Sequence, residues 1–538
     1  MKNKDRGDYT LRTADTTTRI NYYLERYEKA YGVSQAYRGL FDDAYQYSQP
    51  NRNPFDRASL GSQRNTDIYD TTLVNATRQF VAQIHMALTP IYVKWTGLQA
   101  GENVPDDLKA GINRSLELAT DVLFEYIWKS NFDLAINEAY YDLSIGTGAL
   151  ICNENEDDDD PLNFVSVAMD DISPEEGPNG TIETVWRRFD QLPIRNVLRL
   201  WPRATLNTVL KDKLKNDPNG TVSFVEGTIY LPKEELYEYI VIDRDSKSIV
   251  FEERTPSSPW IVFRWSKFPA EVLGYGPVLE ALPTAKTLNK VYEDELRAAA
   301  LMANPIFLGF SDGVFNPYTV RLKPNTIIPV SPMNGSMPIQ PLQTSGNVQF
   351  MQLQVADLRE QINTIMFGNP IGAMTDPTKT ATEIMLRNQL ALEAKAPSFG
   401  RLQVELINKL LNRVIYILKK RNLFPNIDIN SREVNLNYKS PILESQGMTN
   451  AQNLIQYAQS LQQIAGPQVA LGAFNLTKVP EYLAEALQVD LELVKTEEEL
   501  EQMLSQAASA VQEQTQEPTL PTAPTGGLPG GELGMGGE

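Results

Sequence analysis

Apolar residues recur at steps of three and four through GYGPVLEALPTAKTLNKVYEDELRAAALMA, where Leu279, Leu282, Ala285, Leu288, Tyr292, Leu296 and Ala299 predict one face of a long helix. Pro283 is expected to kink its first turns, and Asn304-Pro305 stops it. A second helix is predicted from about Gly346 to Phe367, where Met351, Val355, Leu358, Ile362 and Ile365 follow a pattern close to a heptad seam. Between them, Asn304–Ser345 is Pro-rich and β-prone, with only Asp312, Arg321 and Lys323 charged. At about 1.5 Å per residue each helix is on the order of 30–40 Å long, the proportions of a pillar rather than of a pocket wall.

Upstream, the same periodicity predicts helices over Thr66–Leu88, Asp106–Lys129 and Phe132–Leu143. The last ends at Gly146-Thr147-Gly148, after which ALICNE reads as a strand. The first 65 residues are polar and tyrosine-rich, with one helix across Arg19–Gly32, and are expected at the periphery. From Leu162 to Ser266 the pattern becomes short strands (NFVSVAM, IETVWRRFD, LYEYIVID, SIVFEER, WIVFRWS), interrupted by a short helix at Leu206–Asn216. Thr380-Ala381-Thr382-Glu383 has a capping-box pattern and opens a long helix. That helix is expected to kink at Pro397-Ser398-Phe399-Gly400, resume through Leu402, Leu406, Leu410, Val414 and Ile417, and close on Lys419-Lys420-Arg421. Further helices are predicted near Thr449–Ile464, Lys478–Leu487 and Thr496–Val511, before a Pro- and Gly-rich tail that cannot bury enough surface to order alone. The fold class is therefore mainly α with an inserted β-rich subdomain, an α+β chain.

A chain of 538 residues needs more than one core, and its 42% hydrophobic content can supply them. No apolar run reaches about 18 residues, so neither a membrane span nor a conventional secretory signal is expected. The single Cys152 excludes an internal disulfide, and the single histidine, His85, makes conventional hydrolytic or transition-metal catalysis less expected. His85 itself lies among Ile84 and Leu88 and reads as a packed helix residue. With 68 acidic against 49 basic side chains the net charge is −19, which disfavours wrapping nucleic acid but permits a channel that repels it.

Local candidates for chemistry read blandly. The run Glu154–Asp160 lacks the spacing of a calcium loop and is expected as a solvated loop. No P-loop motif occurs, and Gly274-Tyr275-Gly276 reads as a strand-to-helix turn rather than a dinucleotide fingerprint. Glu293, Asp294 and Glu295 are consecutive on a helix and fan around it instead of converging as a glycosidase pair must. Lys286, Lys290 and Arg297 fall roughly on one face; they are candidates to line a DNA path, with pairing to Glu293 or to neighbouring subunits an equal alternative. The low-charge segment Asn304–Ser345 favours joining subunits over lying exposed on a monomer.

The linear order, a helix carrying GYGPVLEALPTAKTLN, a β loop, a second helix, the loop NPIGAMTDPTKTATEI and a kinked helix, resembles the portal or head-to-tail connector proteins of tailed bacteriophages. The likeness is nearest to the short-tailed, T7-like group. It covers residues 66–510 and includes LSIGTGALICNE.

The resemblance implies a ring, usually of twelve subunits, at one capsid vertex, through which double-stranded DNA is packaged and ejected. Pro277–Ala303 and Gly346–Phe367 would be its stem helices. Asn304–Ser345 would be the clip, with Ile306, Phe307, Leu308, Arg321, Lys323, Ile327 and Ile328 as interface candidates. Residues 369–379 would be the tunnel loop, with Ile371, Gly372, Ala373, Met374, Thr375 and Asp376 facing DNA. Residues 66–276 and 380–448 would form the wing and 449–511 the crown, followed by a disordered tail from 512. Lys286, Lys290, Arg297, Lys379 and Arg387 are the DNA-channel candidates. The implied partners are other copies of the chain, DNA, terminase, capsid and scaffolding proteins and tail proteins, and the implied location is the virion after assembly in the host cytoplasm. No catalytic, cofactor or metal residues are implied. A scaffold or adaptor that forms no ring, and a hydrolase using only carboxylates within Leu162–Ser266, are the rival readings.

Overall fold

The computed structural model of the chain describes residues 15–55, 65–101, 106–303, 307–309, 339–341, 348–367, 397–425, 434–438 and 441–466, with short stretches at 473–475, 478–487, 494–495, 500 and 503. Ile306, Arg321, Lys323, Ile327, Ile328, the loop Ile371–Asp376, Lys379 and Arg387 lie outside the described residues, as do most of Thr496–Val511 and the tail. Contacts divide the chain into two units, Met1–Pro105 with Gly111–Leu443, and Asp106–Ala110 with Glu444–Glu538.

In the first unit the predicted helices form close to their expected bounds. They are α1 (Thr16–Ala36), followed by the unpredicted α2 (Arg38–Ser48), and α3 (Thr72–Leu88), α4 (Asp106–Lys129, shared between the units) and α5 (Phe132–Ile145). Strand β1 (Thr96–Ala100) lies between α3 and α4. Next come β2 (Thr147–Glu154), β3 (Leu162–Ser166), β4 (Ile172–Glu176), β5 (Ile182–Pro193), the short helix α6 (Val197–Leu200) and α7 (Thr208–Asn216). The strands resume with β6 (Thr221–Leu231), β7 (Leu236–Asp243), β8 (Ser248–Thr255) and β9 (Trp260–Arg264). Helix α8 (Pro277–Ala303) contains Pro283 within its length. Phe307–Gly309 and Ile339–Pro341, named β10 and β11, pair antiparallel, and α9 (Val348–Phe367) follows. The helix start expected at Thr380-Ala381-Thr382-Glu383 lies outside the described residues. Residues 397–402, the place of the expected kink, are helical, and the irregularity lies further on, in a π-helical stretch at Gln403–Ile407 leading into α10 (Asn408–Lys420). Strand β12 (Val434–Tyr438) pairs antiparallel with β1.

The β-rich region is two sheets rather than one. The three-stranded sheet β3-β2-β9 packs on α5 and α10, and its Leu150, Cys152, Phe164 and Phe263 join a large core shared with α2–α5 and α8–α10. The five-stranded antiparallel sheet β4-β5-β6-β7-β8 is covered on both faces. On one, Ile20, Tyr23, Tyr27 and Ala30 of α1 pack on Trp186, Val225, Ile229, Ile240 and Ile242. On the other, Val197, Trp201, Leu206 and Leu210 pack on Val222, Phe224, Val241 and Val250.

The polar N-terminal stretch expected at the periphery thus supplies the cover of a sheet. Its charges are used there, since Arg19 and Tyr23 both donate to Glu238, and Arg26 Nε donates to Glu175 Oε2 at 2.7 Å. Helix α2 is likewise built in, as the buried Tyr45 hydroxyl donates to Asp142 Oδ1 at 2.8 Å. The helix expected near Thr449–Ile464 is α11 (Pro441–Ala465), which starts eight residues earlier, and α12 (Val479–Leu487) is helical as expected; within the second unit Tyr457 meets Phe474 edge-on. Among the described residues no helix is long and apolar enough to cross a membrane.

Candidate functional site

The hairpin α8–α9 is mounted on the core by backbone-to-backbone contact. The two glycine motifs of the sequence, Gly146-Thr147-Gly148 and Gly274-Tyr275-Gly276, meet where α5 passes into β2 and β9 passes into α8. A Cβ on Gly146 would lie 2.0 Å from the Gly274 carbonyl oxygen, and one on Gly276 would lie 2.2 Å from that of Ser144, so neither position admits a side chain. The close approach allows Gly276 N to donate to Ile145 O at 2.7 Å and Gly274 N to Thr147 Oγ1 at 2.8 Å. The turn reading of Gly274–Gly276 is borne out, and the first turns of α8 are held against α5.

Polar contacts one layer along fix the hairpin to the segment before α3. Asn289 of α8 is buried; its Oδ1 accepts from Tyr69 N at 2.7 Å and Asp70 N at 3.2 Å, while its Nδ2 donates to Asp67 O at 2.8 Å. Asp70 in turn accepts from Thr72 N at the start of α3 and from Arg359 of α9, whose Nε and Nη2 reach Oδ2 at 3.0 and 2.7 Å. One carboxylate therefore receives the first N–H of α3 and ties α9 to that helix start. Sequence reasoning missed Asn289, Asp70 and Arg359. Asn289 and Arg359 sit on helices predicted from apolar spacing, and nothing local marks them as partners of residues about 220 to 290 positions away.

The apolar seam is buried at its base and bare toward its tip. Leu279, Leu282, Ala285 and Leu288 of α8 are buried, as are Val355, Ile362 and Met366 of α9. Farther along the seam Leu296 is 45% exposed and Ala299 is exposed, while Met351 of α9 is half-buried; off the seam, Leu301, Met302 and Leu353 are 41%, 61% and 71% exposed. The basic candidates lie on the same helix: Lys286 pairs with Asp43, Lys290 with Glu293 at 3.0 Å and Asp294 at 3.7 Å, and Arg297 with Glu293. Each is already opposed by a carboxylate of its own subunit, the alternative that the spacing left open. Of the described clip residues, Phe307 and Leu308 lie in β10.

Behind the hairpin, the fully buried Arg264 joins both sheets to the π-helical stretch. Its Nη2 donates to Glu405 Oε1 at 2.6 Å, and its backbone N and Nε donate to Glu405 Oε2 at 2.9 and 3.2 Å. Nη1 reaches Glu176 Oε1 and Val272 O at 3.0 Å, and Nη2 reaches Gly180 O at 3.0 Å. Burial alone raises the Glu176 carboxyl, but the hydrogen bonds from Lys267 and Arg264 outweigh it and hold the group below the usual carboxylate range.

The remaining candidates settle into structural roles. Lys420 and Arg421 pair with Glu154, and Arg421 also with Asp158, so the acidic run and the basic helix end are each other's partners. The acidic run is exposed up to Asp159, as expected of a solvated loop. His85 is buried edge-on to Tyr140, its Nδ1 faces Asn137 Nδ2 at 3.2 Å, and burial pushes its pKa down. Burial pushes the Cys152 thiol up to about 12, leaving it an inert core residue. In the β region Glu226 and Glu238 are buried, yet their strand partners Val241 and Ile229 place them on opposite faces of the five-stranded sheet. These two cannot converge on one substrate as a carboxylate hydrolase requires, and the buried Asp243, on the face of Glu226, accepts from Asp245 N and Ser246 Oγ in a local turn. Among the described residues no group of three or more His, Cys, Asp or Glu could hold a metal ion.

A family model described as bacteriophage head to tail connecting protein matches residues 21–494, a span that includes the glycine motifs, the hairpin and α10. None of the curated proteins compared with the chain matches it. Among solved structures, a chain in the neck of an empty GTA particle computed with C6 symmetry is similar at 13% identity, over 73% of this chain and 88% of that one, with a TM-score of 0.34.

Proposed function

The chain belongs to the family of bacteriophage head to tail connecting proteins, and we propose that it acts there as a portal: a ring at one capsid vertex, the conduit for DNA during packaging and ejection and the mount for terminase and tail. In this reading α8 and α9 are the stem, residues 304–345 the clip, 369–379 the tunnel loop, the two sheets with α10 the wing and 449–511 the crown. The family is structural rather than catalytic, and the motor that drives DNA would be a partner.

The observation that carries the reading is a hairpin anchored at its base and exposing large apolar side chains toward its tip. Its base is locked to the core by Gly146, Gly276, Asn289 and Asp70, while Leu296, Leu301, Met302 and Leu353 stand in solvent. A pillar mounted firmly and left apolar toward its tip is suited to stand beside identical pillars, which would cover those side chains. The pairing of Lys286, Lys290 and Arg297 with carboxylates supports passage over gripping, because a conduit lined with free cations would hold the phosphate backbone.

Particle mass tests the reading. Light scattering and negative-stain images should show rings for the natural chain. Leu301→Asp with Leu353→Asp, at sites already exposed in the subunit, should give folded monomers. A natural chain that stays monomeric at all concentrations would refute the portal assignment.

A further inference from the structure

The cap formed by α6 and α7 carries an anomaly of charge. Between Arg195 and Asn216 stand six basic residues, Arg195, Arg199, Arg203, Lys211, Lys213 and Lys215, against the single acid Asp212, within a chain of net charge −19. Burying Val197, Trp201, Leu206 and Leu210 on the sheet turns the rest of the cap outward. Arg195 donates to Asn219 and Lys213 to the Thr221 carbonyl, neither of which cancels a charge. Arg199, Arg203, Lys211 and Lys215 are exposed and have no hydrogen-bond or ion-pair partner among the described residues. This contrasts with Arg19, Arg26, Arg264, Arg359 and Arg421, each of which faces a carboxylate.

Apolar side chains are interleaved with the free cations: Leu198, Leu200 and Val209 are all exposed. A surface meant only for phosphates would gain nothing from them, whereas arginines set among aliphatic groups suit a protein partner bearing carboxylates. The ring proposed above supplies such a partner. Each added copy brings a strongly acidic surface against its neighbour, and a basic patch is where that repulsion reverses. Closed rings of this kind use a head-to-tail interface, in which one patch meets a different patch of the next copy.

We infer that the α6–α7 cap is an intersubunit docking surface, occupied by a carboxylate-bearing face of a second copy of this chain. The inference rests on the ring reading. Its contacts are exposed charges screened within about 8–10 Å at physiological salt, so assembly should weaken as salt rises.

The test uses the full chain with Arg199, Arg203, Lys211 and Lys215 all changed to Glu, and a neutral version with all four changed to Gln, beside the natural chain. Circular dichroism should be unchanged in both, because the four side chains are exposed and make no hydrogen bond or ion pair with the described residues. Mass photometry should show rings for the natural chain and at least a tenfold weaker assembly for the Glu version, with the Gln version between them. In rings mixed from light and heavy isotope-labelled chains, carbodiimide should couple Lys211 or Lys215 to carboxylates of a differently labelled copy. Rings from the Glu version at natural concentrations, or coupling only within one copy, would overturn the inference and leave the ring reading intact. Loss of duplex DNA binding with rings retained would also overturn it, in favour of a phosphate partner. A natural chain that forms no rings would overturn both.

Discussion

Changing Glu405 to Ala removes the carboxylate that receives the backbone N, Nε and Nη2 of Arg264, a residue with 0% exposure. Breaking one side of a buried ion pair costs roughly 3–5 kcal/mol, because the remaining charge stays desolvated. Here Glu176 and the carbonyls of Val272 and Gly180 remain, which places the expected loss near the lower end, at about 3 kcal/mol. With about 2.1 cal/mol/K of unfolding entropy per residue, a unit on the order of 400 residues has roughly 0.85 kcal/mol/K, so the melting temperature should fall by about 3–4 °C. Scanning calorimetry reads this directly. Arg264→Met with Glu405→Leu removes both charges and should melt higher than Glu405→Ala alone, since no buried charge is left unpaired. If Glu405→Ala melts within about 1 °C of the natural protein, or if the double variant is the less stable of the two, the buried pair does not hold the π-helical stretch to the sheets.

Gly276→Ala sets a Cβ 2.2 Å from the Ser144 carbonyl oxygen and should destabilise by about 1–3 kcal/mol or prevent soluble expression, measured against Gly400→Ala, which meets nothing within 4 Å. Asp70→Ala should cost about 1–2 kcal/mol, after discounting for the exposure of Arg359, and hydrogen exchange should rise in the first turn of α3 and in α9. Because His85 is the only histidine, its imidazole gives a single titration by NMR, with a midpoint expected below 6.5. A depressed histidine pKa means that the unfolded chain binds the proton more readily, so this contribution is full above pH 6.5 and is lost as pH falls through the folded value. Asp133, raised by burial, acts in the opposite sense, its contribution fading as pH rises through its folded value. His85→Gln should therefore flatten the fall in melting temperature just below pH 6.5, and a midpoint at or above 6.5 would refute the burial argument.

Periodicity alone determined the helices whose faces alternate cleanly: the bounds of α4 and the ends of α8 and α9 fall within a few residues of the pattern. It also determined the order of elements on which the family resemblance rests. Strand β6 was missed although it is central to the five-stranded sheet, because a strand covered on both faces has no polar side to alternate with, and the buried Glu226 and Gly227 interrupt its apolar run. Gly227 is required there by Trp186, whose ring would lie 2.3 Å from a Cβ, a contact invisible along the chain. What only the tertiary structure decided is which charged groups face each other. Local spacing records the face a residue occupies, whereas the partner arrives from another part of the chain. Asp70 found Arg359, Glu154 found Arg421 and Lys286 found Asp43, while the cations of α6–α7 met no carboxylate among the described residues. The sequence alone carried the hairpin's apolar seam. How much of that seam the core covers, and how much stays bare toward the tip, depended on where the glycine motifs and Asn289 anchor its base.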